Sequence, residues 1–457
     1  VKDVIALAKA KESAMIRDLQ GWIRCGSVYD ETTVSTEKPF GEGVSNALEW
    51  MAQTAERDGF MVDRCDGYCT EITYGTSPEI VMVLGHADVV PLGAGWTKEP
   101  FGGVVEDRIL YGRGASDDKG PTLAAYYALK ILKERNYPLK RTIRIVVGGN
   151  EESGSRCLHH YFQELQRPHP IYGFTPDAEF PLIYGEKGIM NYRFQGEIHD
   201  DVLLYLHSGV AANSVPDSAI AHLVGHTFSA HQFESFLRQA GTTGSLEINK
   251  DQAILTVHGK AAHGSTPEHG LNALSLLLKF LAEHTTSSLA KHFASKFLAY
   301  DGSGLDIQFS GERMGALTMN LGLGSYENGH YSFILNIRYP IDCDPHILSQ
   351  TLGQHALHKG ELMSDSAPLY LDPESPFIQT LLRIYQELSG DKKTQPMTIG
   401  GGTYARNTVN TIAYGMGFPN GGHGSGNIHS PDESLAIDDL VLGTAIYLRA
   451  LFELANM

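Results

Sequence analysis

Three short apolar segments, each stopping on a cluster of acidic or imidazole side chains, limit most strongly what this chain can fold into. Ile80 to Leu84 is an unbroken apolar run, too short for a helix and suited to a strand buried on both faces. Thr142 to Val147 is a second such segment and Ile171 to Thr175 a third. Between the first two, Leu123, Tyr127, Ala128, Ile131 and Leu132 fall at helical spacing, which predicts a helix over Pro121 to Arg135 with Pro121 opening it. Upstream, Ser45 is placed to cap a helix that runs through Leu48, Met51, Ala52 and Ala55 to Gly59. A strand–helix–strand order with buried strands predicts a mostly parallel sheet with helices on both faces.

From about Gly188 the pattern changes. Ala253 to Gly259 and Leu317 to Leu323 alternate as half-buried strands do, and Tyr331 to Arg338 pairs with the latter through a turn at Asn328-Gly329. Leu271 to His284 is an apolar helical stretch between them. The tail returns to glycine-rich loops and a last helix from Ile437 to Leu454. The expected fold is α/β: a discontinuous domain with a mostly parallel sheet over 1–187 and 366–457, and an inserted antiparallel α+β domain over 188–365. A length of 457 residues suits such a division.

Charge narrows the partners. Lys and Arg total 36 against 53 Asp and Glu, a formal charge of -17, which argues against a nucleic-acid partner because phosphate backbones need a positive surface. No apolar run approaches the roughly 18 residues of a membrane helix. The stretch from Val1 to Lys11 carries charges throughout and reads as an amphipathic helix rather than a secretory signal, so a cytoplasmic protein without membrane contact is expected. Five scattered cysteines, Cys25, Cys65, Cys69, Cys157 and Cys343, fit reduced thiols rather than disulfides.

In open α/β sheets, sites form beyond the carboxyl ends of the strands. Ile80 to Leu84 runs into Gly85-His86-Ala87-Asp88, and on extended backbone His86 and Asp88 point to one side. Thr142 to Val147 runs into Gly148-Gly149-Asn150-Glu151-Glu152, and Ile171 to Thr175 into Pro176-Asp177-Ala178-Glu179. The loop Gly114-Ala115-Ser116-Asp117-Asp118-Lys119-Gly120 precedes the Pro121 helix. Taken singly, each is a solvated turn or a structural pair. Together they bring several carboxylates to one edge of a sheet, where their repulsion would be costly without a cation. Two divalent cations can share one carboxylate, and nitrogen and oxygen donors without a nearby thiol suit zinc, manganese or cobalt.

These four strings resemble the dinuclear-metal aminoacylase, carboxypeptidase and dipeptidase superfamily. The surrounding Gly85-His86-Ala87-Asp88-Val89-Val90-Pro91, Gly95-Trp96-Thr97-Lys98-Glu99-Pro100-Phe101 and Asp117-Asp118-Lys119-Gly120-Pro121 strings are similar to the PepV-type dipeptidase branch. The resemblance implies two metal ions per chain, zinc first among the candidates with manganese or cobalt as alternatives. It places His86 and Asp177 on one metal, Glu152 and His429 on the other, and Asp117 on both. Asp88 would fix the His86 tautomer, and Glu151 would be the general base acting on a water that bridges the metals. It also implies a cis peptide between Asp117 and Asp118.

The resemblance makes the inserted domain over 188–365 a lid on a catalytic domain over 1–187 and 366–457, and in that lid Asn213, His263 and Arg338 match positions of the same branch. His263 would stabilise the oxyanion, and Arg338, with Asn213 nearby, would hold the substrate's C-terminal carboxylate. Gly401 and Gly402, in a segment resembling the family's GlyGlyThr string, would contact substrate through the backbone, whereas His423, His159, His160 and His207 read as structural. The implied activity is hydrolysis of dipeptides with a free C-terminal carboxylate by a monomer whose enlarged lid supplies everything within one chain. The rivals are an N-acyl amino acid deacylase or aminoacylase of the same fold, and a catalytically inactive binding protein.

Overall fold

A computed structural model describes residues 3–225 and 228–457. Of the amino-terminal helix, Val1 and Lys2 lie outside the described residues; Val4–Lys9 is helical, and a second helix, Glu12–Ile23, follows. The chain forms two compact units. One comprises Val1–Gly185, Leu371–Thr398 and Gly402–Met457, and the other Glu186–Tyr370 and Ile399–Gly401.

The first unit is built on a mixed sheet that includes, side by side in this order, Met61–Asp63, Cys69–Tyr74, Thr142–Gly148, Ile80–His86, Tyr172–Thr175 and Thr411–Ala413. The last four of these are mutually parallel. Ile80–His86 is buried along its whole length, as a central strand covered on both faces must be. Helix Lys119–Glu134 packs on Ile437–Leu454 and on Glu12–Ile23. The final helix keeps the limits its pattern predicts. The helix expected from Pro121 begins two residues earlier, at Lys119, so Pro121 sits in its first turn, where a missing N–H costs nothing.

The helix expected from Ser45 instead starts at Glu42, with Gly41 before it at φ 91°. The Thr33 hydroxyl accepts the Glu42 N–H at 2.9 Å, so a residue nine positions back does the capping. Only glycine takes the Gly41 conformation readily, and an added Cβ would meet the Asp30 carbonyl at 2.7 Å.

The second unit is an antiparallel sheet, eight-stranded among the described residues. Thr318–Glu327 and His330–Tyr339 form the expected hairpin, with Asn328 and Gly329 at φ 52° and 83°, as a tight turn between twisted strands requires. Helix Ala273–His284 buries its apolar side on strands Ser218–Val224 and Gln252–His258. Phe280, Phe293, Phe297 and Phe333 fill the core of this unit.

Asp200 ties two loops of the second unit together. Its carboxylate accepts the N–H groups of Val202, Leu203 and Leu289 at 3.1, 2.9 and 3.1 Å and the Ser287 hydroxyl at 2.8 Å. Burial opposes the charge, but these hydrogen bonds outweigh it and hold the carboxyl below its usual range. A lowered folded-state pKa stabilises above the unfolded value and is lost as pH falls through the folded one. Asp200→Asn is therefore expected to lower the thermal unfolding midpoint at pH 7, a loss of about 1–3 kcal/mol. The gap from wild type should narrow below about pH 4. Circular dichroism melts at the two pH values check this.

Candidate metal centre

The sheet register assembles the site. His86 lies opposite Gly148, and the Ala87 N–H donates to the Gly148 carbonyl at 2.8 Å. The segments leaving these two adjacent strands therefore start side by side. The Asp88 carboxylate accepts the N–H groups of Glu151 and Glu152 at 3.0 and 3.1 Å, fixing the turn that carries both glutamates. His86 Nδ1 lies 3.0 Å from the Asp88 carbonyl oxygen and 3.5 Å from its carboxylate. A carbonyl only accepts, so Nδ1 carries the proton and Nε2 is the ring's ligand atom.

His86 Nε2 faces Asp117 Oδ1 at 3.0 Å and Asp177 Oδ2 at 3.6 Å. The other oxygen of Asp117, Oδ2, lies 2.9 Å from His429 Nε2, which in turn is 3.2 Å from Glu152 Oε1. Two potential ligand groups result, His86–Asp117–Asp177 and Asp117–Glu152–His429, and Asp117 belongs to both. The Asp117–Asp118 peptide is cis.

Remote contacts hold this arrangement. Glu433 accepts the N–H groups of Gly114, Ser116 and Asp117 at 3.1, 2.9 and 3.1 Å, and pairs with Arg113 at 2.7 Å with both side chains fully buried. Arg113 also donates from its two terminal nitrogens to the carbonyls of Pro91, Leu92 and Ser430, so each charge has several partners, although Nε of Arg113 is buried without one. Asp118 accepts the His86 N–H at 3.1 Å and the Thr122 hydroxyl at 2.7 Å. His429 sits at φ 60°, in the left-handed region. Its loop is pinned by Asp432, which accepts the N–H groups of Thr97 and Lys98. His423 bonds the buried Asp439 at the start of the last helix and anchors the glycine-rich loop. His160 stacks on Tyr68 and bonds Glu164 and Asp66.

In the second unit, His263 Nδ1 lies 2.6 Å from the Ser265 hydroxyl and 3.3 Å from the Ser265 backbone nitrogen. Asn213 is exposed and accepts the Gly264 N–H through its carbonyl at 2.7 Å. Arg338 is buried, donating from Nε to Asn336 at 2.8 Å and from Nη1 to the Gly400 carbonyl at 2.6 Å. Gly401 belongs to this unit and Gly402 to the first. All five cysteines are free. Among the described residues no helix is long and apolar enough to cross a membrane.

The sequence reading passed over the supporting residues Glu433, Asp118, Thr122 and Asp432. Glu433 stands more than 300 positions from the amides it holds, and no local spacing signals such a contact.

Electrostatics test the fit of a metal. Burial pushes the Glu151 carboxyl up to about 8, with repulsion from Glu152, Asp88 and Asp117 adding to it and His86 opposing. Burial and the nearby Asp117 charge raise Asp177 well above the carboxylate range. Asp117 and Glu152 push the His429 imidazole up to about 10. Burial alone would lower His86, but hydrogen bonds to Asp117 and Asp88 carry it well above its usual value. The cluster thus gathers protons to balance converging carboxylates, and divalent cations would replace those protons. Imidazole and carboxylate donors fit zinc, manganese or cobalt.

A donor set of this kind, at the carboxyl edge of four parallel strands, defines a metallohydrolase. The pattern of Peptidase family M20/M25/M40 matches residues 82–453. The chain is 38% identical over 460 residues to "Putative dipeptidase YtjP" of Bacillus subtilis (strain 168), covering 98% of each chain. It is 37% identical over 464 residues to a "Putative dipeptidase" of Staphylococcus epidermidis, covering 97% of each. Among solved structures, the fold is similar to the M20 family metallo-carboxypeptidase Sso-CP2 from Sulfolobus solfataricus (TM-score 0.60, 16% identity, 97% of this chain and 99% of that one). It is also similar to the dipeptidase Dug1p from Saccharomyces cerevisiae (TM-score 0.59, 16% identity, 98% of each). The chain belongs to peptidase family M20/M25/M40 and is a metallopeptidase, a hydrolase.

Metal binding should follow pH in a defined direction. Ligation needs neutral imidazoles, and the carboxylates around His86 and His429 hold both rings above the usual imidazole range, so loading should release protons. Apparent zinc affinity, measured by competition with a chromophoric chelator, is expected to rise about tenfold or more per unit between pH 6 and 8. A flat profile would contradict the imidazole assignment.

Proposed function

We propose that this chain is a metal-dependent dipeptidase that hydrolyses short peptides carrying a free C-terminal carboxylate. The observation that carries the proposal is the pair of donor groups sharing Asp117, with Glu151 next in sequence to a member of one group. The dipeptidase names of the Bacillus and Staphylococcus relatives support the choice of substrate.

Two divalent cations held by His86 and Asp177, by Glu152 and His429, and by Asp117 between them would polarise the scissile carbonyl and lower the pKa of the attacking water. Glu151 takes the proton of that water and returns it to the departing amine. Asp88 holds the Glu151 and Glu152 amides, so the base and a ligand move as one rigid turn.

The substrate contacts assigned to the second unit are Asn213, His263 and Arg338, with Gly401 and Gly402 on the glycine segment. His263 would stabilise the developing oxyanion. Arg338, whose guanidinium is already oriented by Asn336 and Gly400, would hold the C-terminal carboxylate. We assign zinc as the metal, a monomer as the working form and the cytoplasm as its compartment. The monomer follows from an enlarged second unit that carries its own histidine and arginine.

Chelator-stripped protein should hydrolyse a dipeptide panel only after zinc or manganese is restored. Glu151→Gln should retain both cations but lose about 10²–10⁴-fold in kcat, and Arg338→Ala should chiefly raise KM. Turnover of N-acyl amino acids in preference to dipeptides would replace this reading with a deacylase. Turnover of neither would leave a binding protein.

A further inference from the structure

The first unit contains a cavity of about 420 Å³ that the donor groups do not account for. Asp117 and Asp177 form one wall, and Met416, Phe418, Ile428, Leu435 and Glu179 line the rest. Ile428 is 50% exposed, an apolar surface left open beside His429. A Cβ added at Gly421 or Gly426 would meet nothing within 4 Å, so the glycine loop borders open space.

Glu179 is placed in this wall by the short parallel pairing of Ala178–Glu179 with Met416–Gly417. A Cβ at Gly417 would stand 3.2 Å from the Glu179 side chain, so the glycine gives that carboxylate its room. Among the described residues no hydrogen bond or ion pair engages the Glu179 carboxylate. Glu179 is exposed to solvent and so is free to meet a ligand group entering the cavity, whose volume is that of a small-molecule subsite.

We propose that this cavity receives the side chain of the residue that supplies the scissile carbonyl, and that Glu179 selects a cationic end there, making dipeptides that begin with lysine or arginine the preferred class. The proposal rests on the dipeptidase reading above. The C-terminal carboxylate is assigned to Arg338, whereas this cavity is walled by two of the metal-ligand candidates and lies wholly within the first unit. The side chain entering it therefore leaves the substrate next to the carbonyl those ligands surround. Apolar walls cover the methylene stem of lysine, and Glu179 meets its ammonium group. An acidic side chain would face the Glu179 carboxylate and be repelled.

The test uses the zinc-loaded full chain with Lys-Ala, norleucyl-Ala and Glu-Ala, which share a backbone and differ in the charge at the end of the first side chain. Wild type should favour Lys-Ala over norleucyl-Ala by about fivefold in kcat/KM, the scale of a partly solvated ion pair. Glu179→Gln should erase that margin, and Glu179→Lys should move the preference toward Glu-Ala. Calorimetric binding of the same three dipeptides with the amide carbonyl reduced to CH₂ should show the same order. An unchanged ranking in Glu179→Lys, by kinetics or by binding, overturns the proposal. If no dipeptide is cleaved, the dipeptidase reading falls, while the calorimetric ranking still decides whether the cavity selects charge.

Discussion

A single carboxylate facing an imidazole on each of its oxygens is the constraint around which the catalytic unit is arranged. Asp117 stands 3.0 Å from His86 and 2.9 Å from His429, residues that are 343 positions apart in sequence. Those hydrogen bonds overcome the cost of its burial and hold its carboxyl far below the usual range, while Asp177 and Glu151 are pushed the other way. Groups whose environments drive their pKa values apart in one small volume are the mark of a chemical site.

Keeping Asp117 in place requires anchors from distant parts of the chain. Glu433 gathers three amides of the Asp117 loop and is itself neutralised by Arg113. Removing one partner of such a fully buried pair costs about 3–5 kcal/mol, because the other charge is stranded. The His429 side is looser: its ring is 52% exposed, and its loop hangs from Asp432 and Asp439 through backbone amides. One half of the centre is thus set rigidly in the sheet, and the other is delivered by a glycine-rich loop.

Much of this was legible in the sequence because the strands obey a simple burial rule. Ile80–Leu84 is apolar without interruption, so its carboxyl end, and with it His86, could be placed at the edge of the sheet; the Asn328-Gly329 turn and the helix Ile437–Leu454 were legible for similar local reasons. Ser45 misled because a serine ahead of an apolar periodicity looks like a cap, whereas the hydroxyl in use, that of Thr33, approaches from another loop. The supporting shell was illegible for the same reason. Glu433, Asp432 and Asp118 act on partners far away or through backbone groups, and only the fold brings them together. The tautomer of His86 is likewise fixed by a carbonyl oxygen rather than by a side chain that spacing could identify.

The most direct test of the account is anomalous diffraction from crystals of the zinc-loaded protein. It should show two peaks about 3.5–4 Å apart, each about 2.0–2.2 Å from an oxygen of Asp117, one beside His86 and Asp177 and the other beside Glu152 and His429. A single peak, or two peaks that do not share Asp117, would contradict it.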